Sequence, residues 1–545
     1  MGINKLTGIL LLNFIIGFLF FNYNLDFSYS VKRSDKDNSS RVLNNLDYMN
    51  DQIGSQNPKV RAYKKIKTKE NENYVEQEDP GALIEAIREI KTAFDGTTYS
   101  PNYRIKELKK AELKKSLLKI SSVNEVLPWV ERGPGNVSGR TRQLIVDPND
   151  ATGNTWFAAT VGGGIWKTSN GGLNWENKTS DLTTLSVTSI AMAGSNHNVI
   201  YAGTGMGFGR VVDLAGNGLW KSIDHGETWT QLQSTANNEL LAAINRIVVD
   251  PNDENIVLVC SNDDYTSYGP NGGMRKSGIF RTTDGGENWV QVYDPDIELG
   301  TTTDNRIQQI IANPQNFNTL YGSVNEVGVI KSLNGGLTWT VSADNFALPQ
   351  DIGANEGTYQ GISTRTELAI APTDTTRLYA AVERPFGIAD LYMTTNAGDS
   401  WTIVNDLGND PNWFSGGGSS GAIAYTAGWF DNTIVVSPYD ENVVFVGGVE
   451  LYRININPSG ATRNTTLIAS VNKVHADHHD LKVIPVNQNT NQFKILDAND
   501  GGVAISNDGG ITWQQIAGLR TTQFYGVDKK HGANEYFGCL QDKQV

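Results

Sequence analysis

Short β-type runs, rather than helical patterns, dominate the chain from residue 129 onward. Runs rich in Val, Ile, Tyr and Thr alternate there with clusters of Gly, Asn and Asp. Such runs, when they are bounded by turn residues, predict strands. Upstream, Leu83, Ile87, Ile90 and Phe94 recur at helical spacing, and a lysine-rich pattern follows at 104–120, so two helices are predicted before the strands. The basic face of the second helix could contact a membrane or a partner, although a solvated face is favoured.

The strand-rich part repeats itself at a spacing of about 55 residues. Six copies carry the pattern Ser/Thr-x-Asp/Asn-x-Gly-x-x-Trp, which we call the box. The Asp or Asn and the Trp of the six boxes are Asn170 and Trp175, Asp224 and Trp229, Asp284 and Trp289, Asn334 and Trp339, Asn396 and Trp401, and Asp508 and Trp513. The last two boxes lie about twice the repeat apart, and segment 443–454 (VVFVGGVELYRI) fits a copy that has lost its box.

A proline turn also marks most repeats. A β-run ends at a turn such as Asp147-Pro148 or Asp250-Pro251, and a second β-run follows it. Each repeat therefore reads as strand A, proline turn, strand B, glycine turn, strand C, box and strand D, and four antiparallel strands are typical of a propeller blade. We predict an all-β fold, a β-propeller of about seven four-stranded blades at 129–520. A helical region at 81–128 precedes it, and the start of a further, truncated blade follows at 521–545.

The residue types of the box are those that stabilise a tight turn. Its Asp or Asn can accept hydrogen bonds from backbone N–H groups of its own hairpin turn, and its Gly supplies a positive φ. Its Trp fills the space toward the neighbouring strand or blade. Three of the six boxes carry Asn, which a turn tolerates and a set of calcium or substrate carboxylates would not. The pattern therefore favours a structural turn.

The N-terminus predicts export. Lys5 precedes an apolar run at 9–21, which is shorter than the ~20 residues of a typical membrane span and is typical of a secretory signal. No clear small-residue cleavage site follows, so an uncleaved membrane anchor within 1–30 stays open. Residues 31–80 are polar and poor in aromatics, as expected of a disordered linker. We therefore expect a secreted or cell-surface protein that contacts the export machinery.

Charge and cysteine content narrow the classes of function. The net charge is −14 at pH 7, and an acidic chain is poorly suited to nucleic acid, whose binding depends on a basic surface. Cys260 and Cys539 are the two cysteines, too far apart in sequence for a CxxC metal site or a local disulfide framework. A bridge between them stays open, but two buried thiols in strands are favoured.

The repeats resemble the bacterial neuraminidase (BNR) or Asp-box repeats. The resemblance rests on the boxes and on the segments 130–142 (VERGPGNVSGRTR), 161–175 (VGGGIWKTSNGGLNW), 475–481 (HADHHDL) and 499–502 (NDGG). Such repeats occur in sialidases, xyloglucanase-type glycoside hydrolases and the sortilin-type receptor domain, and the chain is most similar to large exported BNR-repeat proteins of Bacteroidetes. The resemblance covers residues 130–545 and implies a propeller, but it implies no particular chemistry, because one fold hosts many functions.

Strand direction assigns the candidate ligand-binding residues to one face. Strand A begins at what we call the upper face, whereas the proline turn and the box lie on the lower face. A ligand site on a propeller commonly uses the face where the inner strands begin. The candidates at these strand starts are Arg142, Arg246, Arg306, Arg365, His478 and His479. The arginines could converge on an anion, as the resemblance to sialidases implies, but pairing with Asp304, Glu367 or carbonyls at the strand ends is favoured.

The run 475–480 (HADHHD) is the densest His/Asp cluster of the chain. Within it His475, Asp477 and His479 are candidate metal ligands, because imidazole and carboxylate suit zinc. Adjacent residues of a strand point to opposite sides, so at most two of them could chelate together. A hydrogen-bonded structural corner is therefore favoured, and a structural metal is the one cofactor considered.

Glycoside hydrolysis would require two carboxylates about 5–10 Å apart. Glu367, Asp480 and Asp500 are the candidate acids, although no pair is fixed by spacing. In the xyloglucanase-type family an Asp just before the glycines of the first B–C turn supplies one carboxylate, and here Val161 occupies that position. We therefore expect a propeller that binds a protein or glycan on the face opposite its boxes. The alternative is a BNR-type glycoside hydrolase that acts on a polysaccharide.

Overall fold

The computed structural model describes most of the chain from residue 135 to residue 541. Residues 107, 110, 111, 113 and 114 are described as well, and the gaps are 180–181, 183, 209–213, 215, 237, 263–276, 300–304, 326, 345–364, 384–388, 405–411, 415–426 and 458–461. The chain divides into two compact units, Met1–Asp79 and Pro80–Val545, and every described residue belongs to the second. The predicted signal segment, linker and first helix lie outside the described residues, and the five positions between 107 and 114 are helical.

Twenty-eight strands form seven four-stranded sheets. Blade 1 contains β1 Thr141–Val146, β2 Trp156–Thr160, β3 Gly164–Thr168 and β4 Glu176–Asn177. Blade 2 contains β5 Val187–Met192, β6 Ile200–Thr204, β7 Leu219–Ser222 and β8 Thr230–Gln231. Blade 3 contains β9 Ala243–Asp250, β10 Asp253–Asn262, β11 Ser277–Thr282 and β12 Val290–Tyr293.

The remaining blades have the same organisation. Blade 4 contains β13 Ile307–Asn313, β14 Asn316–Val324, β15 Gly328–Ser332 and β16 Thr340–Asp344, and blade 5 contains β17 Thr366–Ile370, β18 Leu378–Glu383, β19 Ala389–Thr394 and β20 Thr402–Ile403. Blade 6 contains β21 Thr433–Val436, β22 Val443–Gly447, β23 Leu451–Ile456 and β24 Arg463–Ala469, and blade 7 contains β25 His478–Asn487, β26 Gln492–Asn499, β27 Gly502–Ser506 and β28 Gln514–Ile516. The short helices are α1 Pro295–Leu299 and the 3₁₀ turns Glu239–Leu241 and Gln488–Thr490.

The seven sheets close into a ring. Within each sheet the strands follow chain order and neighbouring strands are antiparallel. The first strand of each blade contacts the first strand of the next, and β25 contacts β1. The predicted seven-bladed propeller is therefore confirmed, including the sixth blade, whose strands β22 and β23 occupy the segment that has no box.

Apolar side chains hold adjacent blades together. Leu144, Trp156 and Ala158 of blade 1 form one buried cluster with Leu496 and Ile505 of blade 7. Because successive strand residues point to opposite sides of a sheet, each blade can bury one face against each neighbour. The blades therefore lack solvent-exposed faces over most of their inner strands.

The box turns show the same hydrogen bonds in all six copies. In blade 7 the Ser506 hydroxyl accepts from Gly510 N at 2.7 Å, and Asp508 Oδ1 accepts from Thr512 N at 2.8 Å. In the other five boxes too, the hydroxyl of the first box residue accepts from the N–H of the glycine four residues later. Both glycines of the blade 7 turn have positive φ, 70° at Gly509 and 95° at Gly510, a region that favours glycine.

The chain crosses from the last blade to the first beyond β28. The Thr521 hydroxyl accepts from Gly139 N at 2.9 Å, and the Thr522 hydroxyl donates to the Val137 carbonyl. The two strands expected within 521–545 are observed as a hairpin, β29 Phe524–Lys529 and β30 Tyr536–Leu540. Of the two free cysteines Cys260 is buried, as expected, whereas Cys539 in this hairpin is exposed, so the expectation of a buried thiol is wrong there. No helix in the described part of the chain is both long and apolar enough to cross a membrane.

Candidate functional site

A layer of charged side chains fills the upper end of the ring. We call Arg140, Arg142, Arg365, His479 and Asp500 the charged layer. Four of them lie at or just before the starts of the inner strands β1, β17 and β25, and Asp500 lies in the turn between β26 and β27. Each of the five is at most 3% exposed, so its charge or polar atoms must be compensated within the protein.

Asp500 joins an arginine and a histidine. Arg140 binds it with two hydrogen bonds of 2.5 Å, from Nε and from Nη2, and His479 Nε2 lies 2.5 Å from Asp500 Oδ1. Although burial raises the pKa of Asp500, Arg140 and His479 hold it well below its usual range. Asp500 is therefore a buried carboxylate whose oxygens are hydrogen-bonded to Arg140 and His479.

His479 is neutral in this arrangement. Its Nδ1 lies 2.8 Å from Arg142 Nη1, which can only donate, so Nδ1 accepts and the proton is on Nε2, directed at Asp500. Burial, and then the charge of Arg142, hold the pKa of His479 well below its ordinary value. The histidine thus links the two arginines of blade 1 through Asp500.

Two phenylalanines cover the charged layer. The Arg142 guanidinium lies 4.0 Å from the Phe208 ring centroid and 4.7 Å from that of Phe430, and Arg365 lies 4.5 Å from Phe208. Arg142 and Arg365 both donate to the Phe430 carbonyl. Phe208 and Phe430 belong to one buried cluster with Val161, Met206 and Trp429, which we call the aromatic cap. Stacking on aromatic faces offsets part of the cost of burying guanidinium groups.

A second set of polar residues lies one step further along the inner strands. Each member directly precedes a buried Leu or Ile of its strand and pairs with an equivalent residue of strand B. We call this set the channel ring: Gln143, Ser189, Arg246, Gln309, Glu367, Thr433 and Asp480. All except Ser189 line a central cavity.

Three members of the channel ring connect neighbouring blades. Gln143 Oε1 accepts from Ile190 N at 2.9 Å, Gln309 Oε1 accepts from Leu368 N at 2.6 Å, and Asp480 Oδ2 accepts from Leu144 N at 2.9 Å. In each case the backbone N–H belongs to the inner strand of the next blade. The position occupied by Asp480 is therefore a structural clamp that two other blades fill with glutamine.

Glu367 is paired on both sides. Its Oε1 lies 2.6 Å from Arg365 Nη2, and its Oε2 lies 3.3 Å from Arg246 Nη2. Arg246 belongs to blade 3 and Glu367 to blade 5, so this contact spans the channel past blade 4. Glu367 thus lies between the charged layer above it and the cavity below it.

The three candidate acids are all ion-paired. Glu367 pairs with two arginines, Asp500 pairs with Arg140, and Asp480 lies 3.0 Å from Lys482 Nζ. Their exposures are 1%, 3% and 6% respectively, so none presents a free carboxylate at a surface cleft.

The other candidate positions lie apart from the charged layer. His478 points away from His479, and its Nδ1 lies 2.9 Å from Asp497, a fully buried carboxylate. Arg306, at the start of β13, is 1% exposed. The structure therefore brings together Arg142, Arg365 and His479, places Arg246 against Glu367 at the cavity, and directs His478 toward Asp497.

The run 475–480 forms a hydrogen-bonded corner with divergent side chains. No group of three or more His, Cys, Asp or Glu side chains in the described residues could hold a metal ion, so His475, Asp477 and His479 do not converge on one point. Asp477 has a positive φ of 67°, an uncommon conformation for a residue other than glycine.

A pair of carboxyl groups that sequence reasoning missed lies beside this corner. Asp431, just before β21, shares a side-chain hydrogen bond with Asp477. Burial, and then the neighbouring charge of Asp477, raise the pKa of Asp431, and burial with Asp500 raises the pKa of Asp477. Two carboxyl groups this close hold one proton between them more readily than two negative charges.

Some residues of this centre could have been found from the sequence, because they occur at a fixed distance from the proline turns, whereas others have no such signal. Aligning the inner strands on their proline turns would have placed Gln143, Gln309 and Asp480 at one position. Phe208, Phe430 and Asp431 lie in the long connections 205–218 and 404–432 between strands, where no periodic pattern marks them.

The fold and this channel define the protein as a seven-bladed propeller with a buried polar centre. No protein-family model and no curated protein sequence matches the chain. Solved structures are similar to it: the GH74 enzyme of Niastella koreensis shares 19% identity over 74% of this chain and 59% of that one, with a TM-score of 0.49. An ancestral GH74 enzyme has the same identity and TM-score, with 50% of its length covered.

A second kind of propeller is similar at a comparable level. YCF48 from Cyanidioschyzon merolae shares 15% identity over 67% of this chain and 95% of its own, with a TM-score of 0.43. The chain spans between half and three fifths of the length of the two GH74 structures above. Similarities this low concern the fold alone and carry no argument about activity.

Proposed function

We propose that this protein is an exported propeller that binds a protein or a glycan on its upper face, without catalysis. The observation that carries the proposal is the unequal length of the connections on the two faces. Strand ends on the lower face are separated by at most the nine residues 147–155, between β1 and β2. On the upper face the ends of β6 and β7, β10 and β11, β16 and β17, and β20 and β21 are each separated by at least fourteen residues. Binding residues of a rigid scaffold concentrate on its longer loops.

The charged layer supports this proposal because it holds the strand starts of the upper face in place. Arg140, Arg142, His479 and Asp500 are linked to one another, and Arg365 pairs with Glu367 and the Phe430 carbonyl. These contacts fix the strand starts at which the upper connections end. Phe208 and Phe430 of the aromatic cap stack on the arginines of the layer, so we propose that recognition takes place on the outer side of the cap and not among the arginines. We also infer membership of the exported BNR-repeat proteins of Bacteroidetes, since six boxes share one set of hydrogen bonds.

A glycoside hydrolase of the BNR type is the second candidate function, and one observation favours it. The Asp431–Asp477 pair contains a carboxyl group whose pKa is raised, as a general acid requires, and Asp477 is partly exposed. This pair, and not Glu367, Asp480 or Asp500, would then supply the acid.

One screen distinguishes the two functions. The full chain is applied to glycan and peptide arrays, and captured glycans are analysed for new reducing ends. The proposal predicts capture without product, and product that disappears in Asp477→Asn would establish the hydrolase instead. Leu185→Glu, on the upper face, should weaken capture, whereas Leu173→Glu, on the box of the same blade, should not; both leucines are exposed.

Export is tested separately. The apolar run 9–21 after Lys5 supports a secretory signal or an anchor. Cell fractionation with N-terminal sequencing of the recovered protein should place the chain outside the cytoplasm. A protein that stays in the cytoplasm with its N-terminus intact would contradict this part of the proposal.

A further inference from the structure

The central cavity lies below the charged layer and is separate from the upper face. It has a volume of about 550 Å³, and inner strands of six blades contribute to its lining. This volume lies within the ~300–1,000 Å³ of pockets that hold small organic ligands. The channel ring forms its inner end, and neither Phe208 nor Phe430 of the aromatic cap lines it.

The cavity opens toward the lower face. Its lining residues near the strand starts are buried, whereas Val248, Ile311, Ile370 and Val483, further along the same strands, are partly exposed. These four are apolar, so the walls between the inner end and the mouth are largely hydrocarbon. Lys482, with 35% of its side chain exposed, lies near the mouth and pairs with Asp480.

Arg246 presents unused hydrogen-bond donors at the inner end. It is 7% exposed, and in the described part of the chain its guanidinium makes a single hydrogen bond, to Glu367 at 3.3 Å. Glu367 is shared with Arg365 at the shorter distance of 2.6 Å. Although burial lowers the pKa of Arg246, the charges of Glu367 and Asp480 raise it above its ordinary value, so Arg246 is positively charged while most of its donors are unused. A guanidinium carries five N–H donors in a planar fork that matches a carboxylate.

Gln143 adds a second donor beside it. Its only hydrogen bond to the described residues uses Oε1, which accepts from Ile190 N, so the amide Nε2 is left for a ligand. The other ring amide, Gln309, uses both of its polar atoms on Leu368. The inner end therefore offers unused donors on Arg246 and Gln143, whereas the oxygens of Glu367 and Asp480 already have partners.

From this geometry we infer that the cavity binds a small organic carboxylate that enters from the lower face. The carboxylate pairs with Arg246 and accepts from Gln143 Nε2, and an aliphatic body lies against the apolar walls. A buried guanidinium with unused donors forms charge-assisted hydrogen bonds to a carboxylate, and water competes with them only weakly there. The site is distinct from the arginines of the charged layer, which are occupied by Asp500, His479 and the Phe430 carbonyl.

Calorimetric titration of the full chain with hexanoate tests the inference, with hexanamide as the uncharged probe of the same shape. Hexanoate should bind the wild-type protein, and hexanamide should bind at least about tenfold more weakly, since a charge-assisted pair is lost. Arg246→Gln should weaken hexanoate binding by a similar factor. Arg281→Gln, the same change on strand β11 of the same blade and outside the cavity, should leave it unchanged.

A second variant, which should strengthen binding, distinguishes loss of the site from misfolding. Glu367→Gln removes the negative charge beside Arg246, so it should tighten hexanoate binding. Near-ultraviolet circular dichroism establishes that each variant is folded. The inference is overturned if hexanoate fails to bind the wild type, if hexanamide binds equally well, or if folded Arg246→Gln keeps the wild-type affinity.

Discussion

At the scale of single residues, the polar centre works because each buried charge has a partner of the right kind. His479 is the clearest case, since Arg142 and Asp500 occupy its two ring nitrogens. A protonated His479 would place a third positive charge against Arg140 and Arg142. Neutral histidine is therefore part of the folded structure.

This charge state predicts a pH dependence of stability. In the unfolded chain His479 has the ordinary pKa of about 6.5, whereas burial and Arg142 keep its pKa well below that in the folded protein. As the pH falls below about 6.5 the unfolded state binds a proton that the folded state excludes. The contribution of His479 to the free energy of unfolding should therefore decrease from pH 7 to pH 5, by at most about 1.4 kcal/mol per pH unit. The raised pKa values of Asp431, which lies 3.4 Å from His479 Nδ1, and of Asp477 act in the opposite direction.

Urea denaturation at several pH values between 7 and 5 measures the effect. In His479→Gln the amide can donate to Asp500 and accept from Arg142 without titrating, so its stability relative to the wild type should increase from pH 7 to pH 5. Equal pH dependence in the two proteins would show that His479 is not the titrating group.

The sequence could predict which residue types gather at this centre, and it favoured arginines paired with Glu367 or with carbonyls, as observed. It could not predict which arginine pairs with which group. Strand direction placed Arg142, Arg365 and His479 at one end of the propeller. Side-chain contacts between blades, such as Arg246 with Glu367 across the channel, depend on the closed ring. Phe208 and Phe430 come from connections whose path no local pattern defines, so the aromatic cap could not be inferred.

At the scale of elements, the inner strands are joined by side chains that replace missing backbone pairing between blades. Asp480 clamps Leu144 N of the next blade, as Gln143 and Gln309 clamp theirs. Considered by itself, the run 475–480 suggested a metal or an acid. The equivalent glutamines show that an acceptor, and not a charge, is what this position requires.

Substitution of Asp480 tests the clamp. Asp480→Asn keeps an acceptor for Leu144 N and should cost less than about 1 kcal/mol, whereas Asp480→Leu leaves that buried N–H unpaired and should cost about 1–3 kcal/mol. Gln309→Leu, at the equivalent position of blade 4, is the matched control and should resemble Asp480→Leu. Denaturant unfolding measures all three, and equal losses for Asp480→Asn and Asp480→Leu would contradict the clamp.

The element pattern was also the most predictable part of the molecule. Six boxes, the proline turns and the period between them are local signals, because each turn is stabilised by its own side chains. The strand bounds followed from them. The bulges near the starts of β1, β5, β13 and β25, by contrast, arise from packing around the channel and leave no mark in sequence.

At the scale of the whole molecule, the ring is closed by apposition of its two ends. The segment after β28 lies against the segment before β1 through Thr521, Thr522, Gly139 and Val137. A Cβ on Gly139 would lie 2.2 Å from the Thr521 carbonyl oxygen, closer than any real contact. Closure therefore requires glycine at this position.

Gly139→Ala should lower the stability of the propeller by about 1–3 kcal/mol, because the backbones at the closure must separate. Gly526→Ala, in the hairpin β29–β30, is the matched control, since its Cβ would meet nothing within 4 Å. Thermal unfolding of the two variants beside the wild type measures the difference. A Gly139→Ala protein as stable as Gly526→Ala would show that the two ends do not hold the ring together.

The whole molecule thus has two faces of different character, and the proposed function depends on which of them meets the ligand. Hydrogen–deuterium exchange of the full chain, with and without a ligand captured on the arrays, tests this directly. Slower exchange at 161–164 and 427–432, on the upper face, with no change at the box turns 170–174 and 508–512, is the result expected. Protection confined to the box turns would contradict the account.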